Sequence, residues 1–300
     1  MKILITGANG FLGHYLVPLL ATQGHEVLAT GRGPCRLVQN GAYGFAYAEM
    51  DFTNGESTVA VIQHFSPDVI VHAGAISKPD DCELDQPTAW RINTGGTQQL
   101  IQAAAEQRSF FVYISTDFVF DGLRGMYTEE DQPAPVNYYG QTKLEAELAV
   151  KKYAFEWAIV RTVLVYGQPL AGRSNILSIV KDKLEKREGY KVVDDQVRTP
   201  TYVGDLAAGI AAVINQQARG IWHLSGDDLL TPYEMACQTA DYLGYDKQLL
   251  TRVTADTFSQ PAKRPARTGF VISKARKELG YVPLPFSEGL KKTFPGKPEC

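Results

Sequence analysis

The 300-residue sequence has few cysteines and none of the cysteine spacings that build metal or redox sites. No Cys-x-x-Cys pair and no cysteine–histidine cluster occurs, which argues against a zinc site and predicts reduced thiols. The pattern therefore predicts no metal at the functional site. The cysteines, which are far apart in the chain, are Cys35, Cys82, Cys237 and Cys300.

A charge excess of either sign is also missing. Lysine and arginine number 30 and aspartate and glutamate 33, which leaves a formal charge of -3. This balance indicates neither a nucleic-acid partner nor an anionic membrane surface. No apolar stretch approaches the roughly 18 residues that a membrane span needs, and the apolar run at residues 1–6 is too brief for a signal peptide. The sequence therefore predicts a soluble, cytoplasmic protein.

Short apolar segments alternate with helical ones in the first half of the chain. Continuous apolar strands separated by helices are typical of a parallel sheet that is covered on both faces. We therefore expect an α/β fold with a right-handed, doubly wound parallel sheet of the Rossmann type. The predicted strands are residues 2–6, 26–30, 68–72, 110–115 and 157–161, and the predicted helices are residues 10–23, 57–65, 89–107 and 138–152.

The pattern changes after about Tyr166. Residues 175–187 read as a helix with a charged, solvated face, and Thr231-Pro232-Tyr233-Glu234 has the form of a capping box that opens another helix. We interpret residues 1–165 as a dinucleotide-binding domain to which the chain returns at about residues 200–220. Residues 166–300 are predicted to form mainly a smaller, interleaved C-terminal substrate-binding lobe.

A glycine-rich turn directly follows the first predicted strand and opens a helix. Glycines permit a tight turn and a close backbone approach, and the helix N-terminus offers free N–H groups to a pyrophosphate. The spacing differs from the G-x-G-x-x-G of many dehydrogenases, but the strand–turn–helix context favours dinucleotide binding. The candidate cofactor-binding residues of this turn are Gly7, Asn9, Gly10, Phe11, Leu12 and Gly13.

The end of the second strand favours NADP, with NAD remaining open. An acidic residue there would accept the ribose hydroxyls of NAD, whereas the chain has Arg32, which suits a 2′-phosphate. Asp51 either hydrogen-bonds the adenine or starts a turn before the next helix. Ala73, Gly74 and Ala75 follow the next predicted strand, where small residues let the backbone pass close to a cofactor.

A phenol and an ammonium lie four residues apart at Tyr139 and Lys143. On a helix, positions i and i+4 share one face, and a cation beside a phenol stabilises the phenolate and makes the phenol a better acid. Thr116 ends the fifth predicted strand, where ligands of open α/β sheets bind. Its hydroxyl can bond the carbonyl oxygen that Tyr139 protonates.

Together, the glycine turn, Thr116 and the Tyr-x-x-x-Lys pair resemble the extended short-chain dehydrogenase/reductase superfamily. More narrowly, residues 115–122 resemble the signature of the dTDP-4-dehydrorhamnose reductase family. Residues 139–147, Arg161-Thr162, residues 194–196 with Pro200-Thr201, and residues 264–266 fit the same family. The resemblance covers nearly the whole chain.

The resemblance implies an NAD(P)-dependent oxidoreductase that uses NADPH to reduce the 4-keto group of a nucleotide-activated deoxysugar. Tyr139 would be the acid, Lys143 would support it and hold the nicotinamide ribose, and Thr116 would orient the carbonyl. Asn93 would steady the site, and a homodimer is one option for the assembly. The implied substrate contacts are Asp117, Phe118, Arg161 and Arg198, with Asp195 and Arg264 as weaker candidates.

Several alternatives remain open. Thr116 could instead cap a backbone group, Lys143 could pair with Glu147, and Arg161 could form an ion pair at the edge of the core. The family usually has tyrosine where Phe118 stands, so the sugar could differ. A 4,6-dehydratase would need a glutamate at that position, and a 4-epimerase would favour an acidic residue near Arg32. A non-catalytic, NADP-binding regulatory subunit is the rival from another functional class.

Overall fold

Seven parallel strands form one central sheet in the computed structural model, which describes residues 1–38, 44–170 and 174–296. The strands of this sheet are β1 (Lys2–Thr6), β2 (Glu26–Gly31), β3 (Ala46–Glu49), β4 (Val69–His72), β5 (Phe110–Thr116), β6 (Trp157–Thr162) and β10 (Gly220–His223). Four further strands pair outside the sheet, β7 (Val165–Tyr166) with β9 (Thr201–Tyr202) and β8 (Tyr190–Val193) with β11 (Leu250–Val253).

The strand order creates a crevice at one edge of the sheet. Read across the sheet, the order is β3–β2–β1–β4–β5–β6–β10, so the winding direction reverses between β1 and β4. Thr6 at the end of β1 is the register partner of His72 at the end of β4. The glycine turn and residues 73–75 therefore leave the sheet side by side, at the switch point where open α/β sheets bind ligands.

Helices cover both faces of the sheet. On one face α1 and α8 share a core with β1, and on the other α2, α5 and α6 pack together. This arrangement confirms the predicted doubly wound, Rossmann-type fold. None of the described helices is both long and apolar enough to cross a membrane. The helices are α1 (Gly13–Thr22), α2 (Gly55–Phe65), α3 (Pro79–Leu84), α4 (Gln86–Trp90), α5 (Gly96–Gln107), α6 (Tyr138–Lys151), α7 (Ile176–Glu185), α8 (Val203–Asn215), α9 (Pro232–Leu243), α10 (Ser273–Leu279) and α11 (Phe286–Thr293).

The predicted strands match the observed ones to within one residue at each end, but two predicted helices differ. The helix expected over residues 10–23 begins only at Gly13, because residues 7–12 form the turn. The helix expected over residues 89–107 is not one α-helix. A π-helical turn, Arg91–Gly95, separates α4 from α5, and π turns inside helices often mark functional sites.

The chain returns to the first domain where the sequence suggested it. Helix α8 packs against α1, and β10 pairs with β6 at the edge of the sheet. A separate, smaller core lies between α7, α9, β8 and β11. Thr231 and Glu234 form the predicted capping box at the start of α9. The division of the chain at residue 165 stays a prediction.

We predict that Gly13→Ala destabilises the fold by more than about 2 kcal/mol. A Cβ atom at Gly13 would lie 2.0 Å from the Ala8 carbonyl oxygen, so the junction of turn and helix would have to open. Gly55→Ala is the matched control, since its Cβ would meet nothing closer than 3.8 Å. Chemical denaturation of both variants measures the difference. Equal free energies of unfolding would contradict the close approach.

Candidate active site

A cavity of about 1170 Å³ lies beyond the carboxyl ends of β1, β4 and β5. All three predicted catalytic residues line it, and so do all the predicted cofactor residues except Gly13. Of the predicted substrate contacts, Asp117 and Phe118 line it, whereas Arg161 and Arg198 do not. One cavity therefore joins the glycine turn to the phenol, the lysine and the strand-end hydroxyl.

The glycine turn and the segment after β4 touch through their backbones. Gly7 has a φ of 68°, and a Cβ on it would lie 2.7 Å from the Gly74 Cα atom. The Gly10 N–H donates to the Gly7 carbonyl oxygen at 2.8 Å, which closes the turn. Phe11 and Leu12 end the turn directly before α1 and line the cavity. A helix N-terminus in this position favours an anion such as a pyrophosphate.

Arg32 lines the cavity directly after β2, and Asp51 lines the same cavity. The Asp51 Oδ1 atom accepts hydrogen bonds from the Thr53 N–H at 2.9 Å and the Thr53 hydroxyl at 2.8 Å. Burial alone would raise the pKa of Asp51, but these bonds and the charges of Arg32 and Arg91 hold it below its usual value. The carboxylate thus starts a turn, as one interpretation expected, while still lining the cavity.

Helix α6 carries the Tyr139–Lys143 pair into the cavity. The Asn137 side chain caps the helix by accepting from the Gly140 N–H at 2.8 Å. A Cβ at Gly140 would lie 2.1 Å from the Phe118 carbonyl oxygen, so glycine permits the first turn of α6 to pack on the turn after β5. As a result the Tyr139 ring meets the Phe118 ring edge-on, with 5.7 Å between the centroids.

Lys143 is almost fully buried, at 3% exposure. Its ammonium donates to the Ile114 carbonyl oxygen at 2.8 Å and lies 4.1 Å from the centroid of the Tyr113 ring. Burial lowers the pKa of Lys143 to about 7, although the nearby Glu147 and Cys82 oppose this. Glu147 thus acts on Lys143 through its charge. Its carboxylate makes its hydrogen bonds to other groups.

Those other groups are Arg161 and Ser115. The Glu147 carboxylate accepts from Arg161 Nε at 2.9 Å and Nη2 at 2.7 Å, and from the Ser115 hydroxyl at 2.6 Å. The side chains of Arg161 and Glu147 are buried, at 1% and 0% exposure. The structure therefore shows Arg161 in its alternative role, a buried ion pair, and not in the cavity lining.

The Thr116 hydroxyl also engages its own turn. It donates to Asp117 Oδ1 at 3.0 Å and accepts from the Phe118 N–H at 3.3 Å, so the alternative role of Thr116, capping a backbone group, is present. Asp117 is buried, and its other carboxylate oxygen accepts from the Thr268 hydroxyl. Burial raises the pKa of Asp117, while Arg198 and the two threonine hydroxyls oppose the shift.

Residues 262–268 pack against this turn, and we call this segment the strap. Arg198 donates to the strap carbonyl oxygens of Pro265 at 2.6 Å and Ala266 at 3.1 Å, and its Nε lies 3.7 Å from Asp117. Arg264 makes a two-pronged ion pair with Asp80 of α3, at 2.5 and 2.6 Å. Both arginines therefore hold the strap in place.

Asn93 lies in the π turn and ties the loop after β4 to α6. It accepts from the Ile76 N–H at 2.8 Å and donates to the Ile76 carbonyl oxygen at 3.1 Å and the Thr142 hydroxyl at 3.0 Å. Asp195, in contrast, is exposed and accepts from the Ala255 N–H. Sequence reasoning did not anticipate the roles of Gly140 and Ser115, whose partners are distant in the chain.

Comparison with known proteins agrees with this architecture. Residues 1–296 match the model of the RmlD substrate binding domain family. The chain is 31% identical to the mouse methionine adenosyltransferase 2 subunit beta, covering 98% of this chain and 87% of that protein. It is 30% identical to the dTDP-4-dehydrorhamnose reductase of Aggregatibacter actinomycetemcomitans, covering 97% of each.

A solved structure extends the likeness to three dimensions. The dTDP-4-dehydrorhamnose reductase of Bacillus anthracis, in complex with NADP, superposes with a TM-score of 0.83 at 29% identity. The match covers 97% of this chain and 98% of that one. The chain belongs to the RmlD substrate binding domain family, within the extended short-chain dehydrogenase/reductase fold.

We predict that Lys143→Met stabilises the protein without ligands by roughly 2–4 kcal/mol at about pH 6. A lysine whose pKa is lowered on folding pays the full cost of burying its charge below about pH 7. That free-energy cost falls as the pH rises from about 7 towards the ordinary pKa of lysine, because Lys143 is then already neutral in the folded protein.

The measurement is denaturant unfolding of wild type and variant at several pH values. Lys151→Met is the control, since Lys151 is an exposed residue of the same helix. A stabilisation by Lys143→Met that does not shrink between about pH 6 and about pH 9 would rule out the buried ammonium as its cause.

Proposed function

We propose that this protein reduces the 4-keto group of a nucleotide-activated deoxysugar of the dTDP-4-dehydrorhamnose type, with NADPH as the reductant. The observation that carries the proposal is that the glycine turn, Thr116, Tyr139 and Lys143 line one cavity. The reductases of Aggregatibacter actinomycetemcomitans and Bacillus anthracis support the substrate class.

The residues at the cofactor end fit a dinucleotide. The backbones of Gly7 and Gly74 approach so closely that a Cβ would fill the space between them. The start of α1 suits the pyrophosphate, and Arg32 suits the adenosine 2′-phosphate. NADPH, when bound, supplies the hydride. NAD remains an alternative, because solved relatives bind one cofactor or the other.

Proton delivery falls to Tyr139. Its phenol gives a proton to the oxygen of the 4-keto group as the carbon receives hydride, so the carbonyl becomes an alcohol and the phenol a phenolate. The Lys143 ammonium, which is poorly solvated, stabilises that phenolate and a solvent proton later restores the phenol. The attraction between the ammonium and the phenolate is stronger here than in water, because the site is buried and its effective dielectric constant is lower.

Thr116 orients the carbonyl, and this requires a change of partner. A hydroxyl has one proton, which Thr116 now donates to Asp117. To bond the substrate oxygen, the Thr116 hydroxyl turns away from Asp117, whose carboxylate keeps the Thr268 hydroxyl as a donor. Asp117 is then a positioning residue, held by the strap and by Arg198.

The two predicted substrate arginines receive a different role. Arg161 holds Glu147 and with it α6, and Arg198 holds the strap and Asp117. We therefore propose that both position the site from behind the cavity wall. Phe118 remains a candidate substrate contact, because it lines the cavity. It offers no carboxylate, which disfavours the glutamate chemistry of a dehydratase.

A regulatory subunit is the second candidate, because the chain is 31% identical to the mouse methionine adenosyltransferase 2 subunit beta. A pure binding module has no need for a lysine that burial forces towards neutrality beside a tyrosine. The buried Lys143 therefore favours catalysis.

The test is loss of NADPH absorbance when the purified protein meets dTDP-4-dehydrorhamnose. We expect turnover in wild type, and Tyr139→Phe should lower turnover by about 100-fold or more while the NADPH dissociation constant changes less than about twofold. The phenylalanine keeps the ring that packs on Phe118 but lacks the proton.

Tyr138→Phe is the matched control, since Tyr138 neighbours the catalytic tyrosine on α6 but does not line the cavity. It should leave turnover unchanged. Wild-type protein that binds NADPH yet oxidises none of it would favour the regulatory subunit. Equal losses of binding and turnover in Tyr139→Phe would mean that the tyrosine is structural.

A further inference from the structure

The first turn of α6, which carries Tyr139, is fixed by acceptors on both sides of that residue. The Asn137 Oδ1 atom accepts from the Gly140 N–H at 2.8 Å, and Glu83 of α3 accepts from the Tyr138 N–H at 3.0 Å. The opening N–H groups of an α-helix have no partners within the helix, so outside acceptors decide how its first turn is held. The backbone that carries the phenol is therefore anchored at both neighbours of Tyr139.

Asn137 also reaches the strap. Its Nδ2 atom donates to the Lys263 carbonyl oxygen at 2.7 Å, and the residue is buried, at 4% exposure. One side-chain amide thus binds the helix with its oxygen and the strap, 126 residues away in the chain, with its nitrogen. Because both atoms belong to one planar group, a displacement of the strap is passed to the first turn of α6.

A second connection between the strap and α6 runs through α3. Asp80 of α3 binds the strap twice, by its ion pair with Arg264 and by accepting from the Ala262 N–H at 3.1 Å. Glu83 lies three residues after Asp80, and residues at this spacing are neighbours on a helix surface. The strap, α3 and the start of α6 are therefore joined pairwise. We call Asp80, Glu83, Asn137 and Arg264 the clasp.

The ion pair between Arg264 and Asp80 is the charged link of the clasp. The two side chains are 15% and 33% exposed, so water screens their attraction only in part. The hydrogen bond from Arg264 holds the pKa of Asp80 below its usual value, so both groups are charged at neutral pH. Loss of the guanidinium would therefore release the strap from its charged contact with α3.

The clasp acts on the site from outside the cavity. Of the described residues that line the cavity, none belongs to the clasp, whereas Tyr139 is among them. The strap is also connected to Thr116, because Thr268 donates to Asp117 and Asp117 accepts from the Thr116 hydroxyl. One segment thus holds both groups that we propose at the carbonyl oxygen. Misplacement of a reacting group by about 1 Å can lower a rate by roughly 100-fold.

We infer that Asn137 is a positioning residue for Tyr139, through which the strap places the phenol against the carbonyl oxygen of the substrate, and that Arg264 anchors the strap in this role. The inference rests on the proposed reduction with Tyr139 as the acid. Since Asn137 lies outside the cavity lining, it acts through the backbone of α6. Its loss should slow the chemical step and leave cofactor binding nearly intact.

The test is a single turnover of NADPH, with protein in excess over NADPH and dTDP-4-dehydrorhamnose at saturation. The rate constant reports the chemical step, and the amplitude reports the fraction of competent sites. In Asn137→Ser the hydroxyl still caps the helix but is too short to reach the Lys263 carbonyl oxygen. We expect the rate constant to fall by about tenfold or more at full amplitude, and the NADPH dissociation constant to change by less than about twofold.

Asn54→Ser makes the same substitution at a cap that has no link to the strap. Asn54 is exposed, caps α2 by accepting from the Ser57 N–H at 3.1 Å, and does not line the cavity. Its variant should keep the wild-type rate constant and amplitude. In Asn137→Ser, a wild-type rate constant would overturn the inference, whether the amplitude is full or reduced, because reduced amplitude alone reports a role in stability only.

Arg264→Gln tests the part played by the strap. We expect its rate constant to fall by about threefold or more at full amplitude. The double variant with Asn137→Ser should lie within about twofold of Asn137→Ser alone, because both changes break the same connection. Losses that multiply in the double variant, or no loss in Arg264→Gln, would overturn the role of the strap. If Asn137→Ser does not fold, Arg264→Gln alone decides the matter.

The same assay separates this inference from the proposed function. Wild-type protein that binds NADPH but oxidises none of it would refute the proposed function, and the inference with it. Turnover by wild type at a rate constant that Asn137→Ser and Arg264→Gln share would refute the inference alone.

Discussion

The ion pair between Glu147 and Arg161 anchors helix α6 against strands β5 and β6 of the sheet. Glu147 is one helical turn after Lys143 and two after Tyr139, so fixing its carboxylate against β5 and β6 fixes both of them. The attraction in a buried ion pair offsets the free-energy cost of desolvating both charges only if the geometry is good. Here the two-pronged contact and the Ser115 hydroxyl supply that geometry. The pair therefore fixes the position of α6 along the strands more than it adds to the net stability of the fold.

Lys143 depends on this constraint most directly. Its ammonium donates to the Ile114 carbonyl oxygen and lies over the face of Tyr113, and burial lowers its pKa to about 7. Such an environment costs folding free energy and is retained where chemistry needs a responsive charge. The fold and the proposed reaction thus make opposite demands on one side chain.

Features encoded by neighbours in sequence could be predicted. The apolar strands, the glycine turn after β1, the capping box at Thr231 and the helical spacing of Tyr139 and Lys143 depend on a few consecutive residues. The carboxyl ends of parallel strands meet at one edge, so Thr116 could be expected to line the same cavity as the turn.

Features that depend on partners distant in the chain could not be predicted. In the sequence, an arginine at a strand end gives no sign of whether it will bind a ligand or a carboxylate. Glu147 pairs with Arg161 only once α6 packs on β6. Arg198 likewise finds the strap across 67 residues. The contacts of His14 could not be predicted either, because its ring nitrogens lie against the backbone carbonyl oxygens of Gly10 and Arg36, which no residue pattern displays.

The strap has a consequence for how the protein is made. Thr268 reaches Asp117 across 151 residues, and Arg264 reaches Asp80 across 184. At a synthesis rate of roughly 5–20 residues per second, Asp117 leaves the ribosome on the order of ten seconds before its last partner is translated. The first domain can assemble on the nascent chain, but Asp80 and Asp117 gain these partners only after Arg264 and Thr268 have been made. A chain interrupted before Arg264 would leave both carboxylates without these partners.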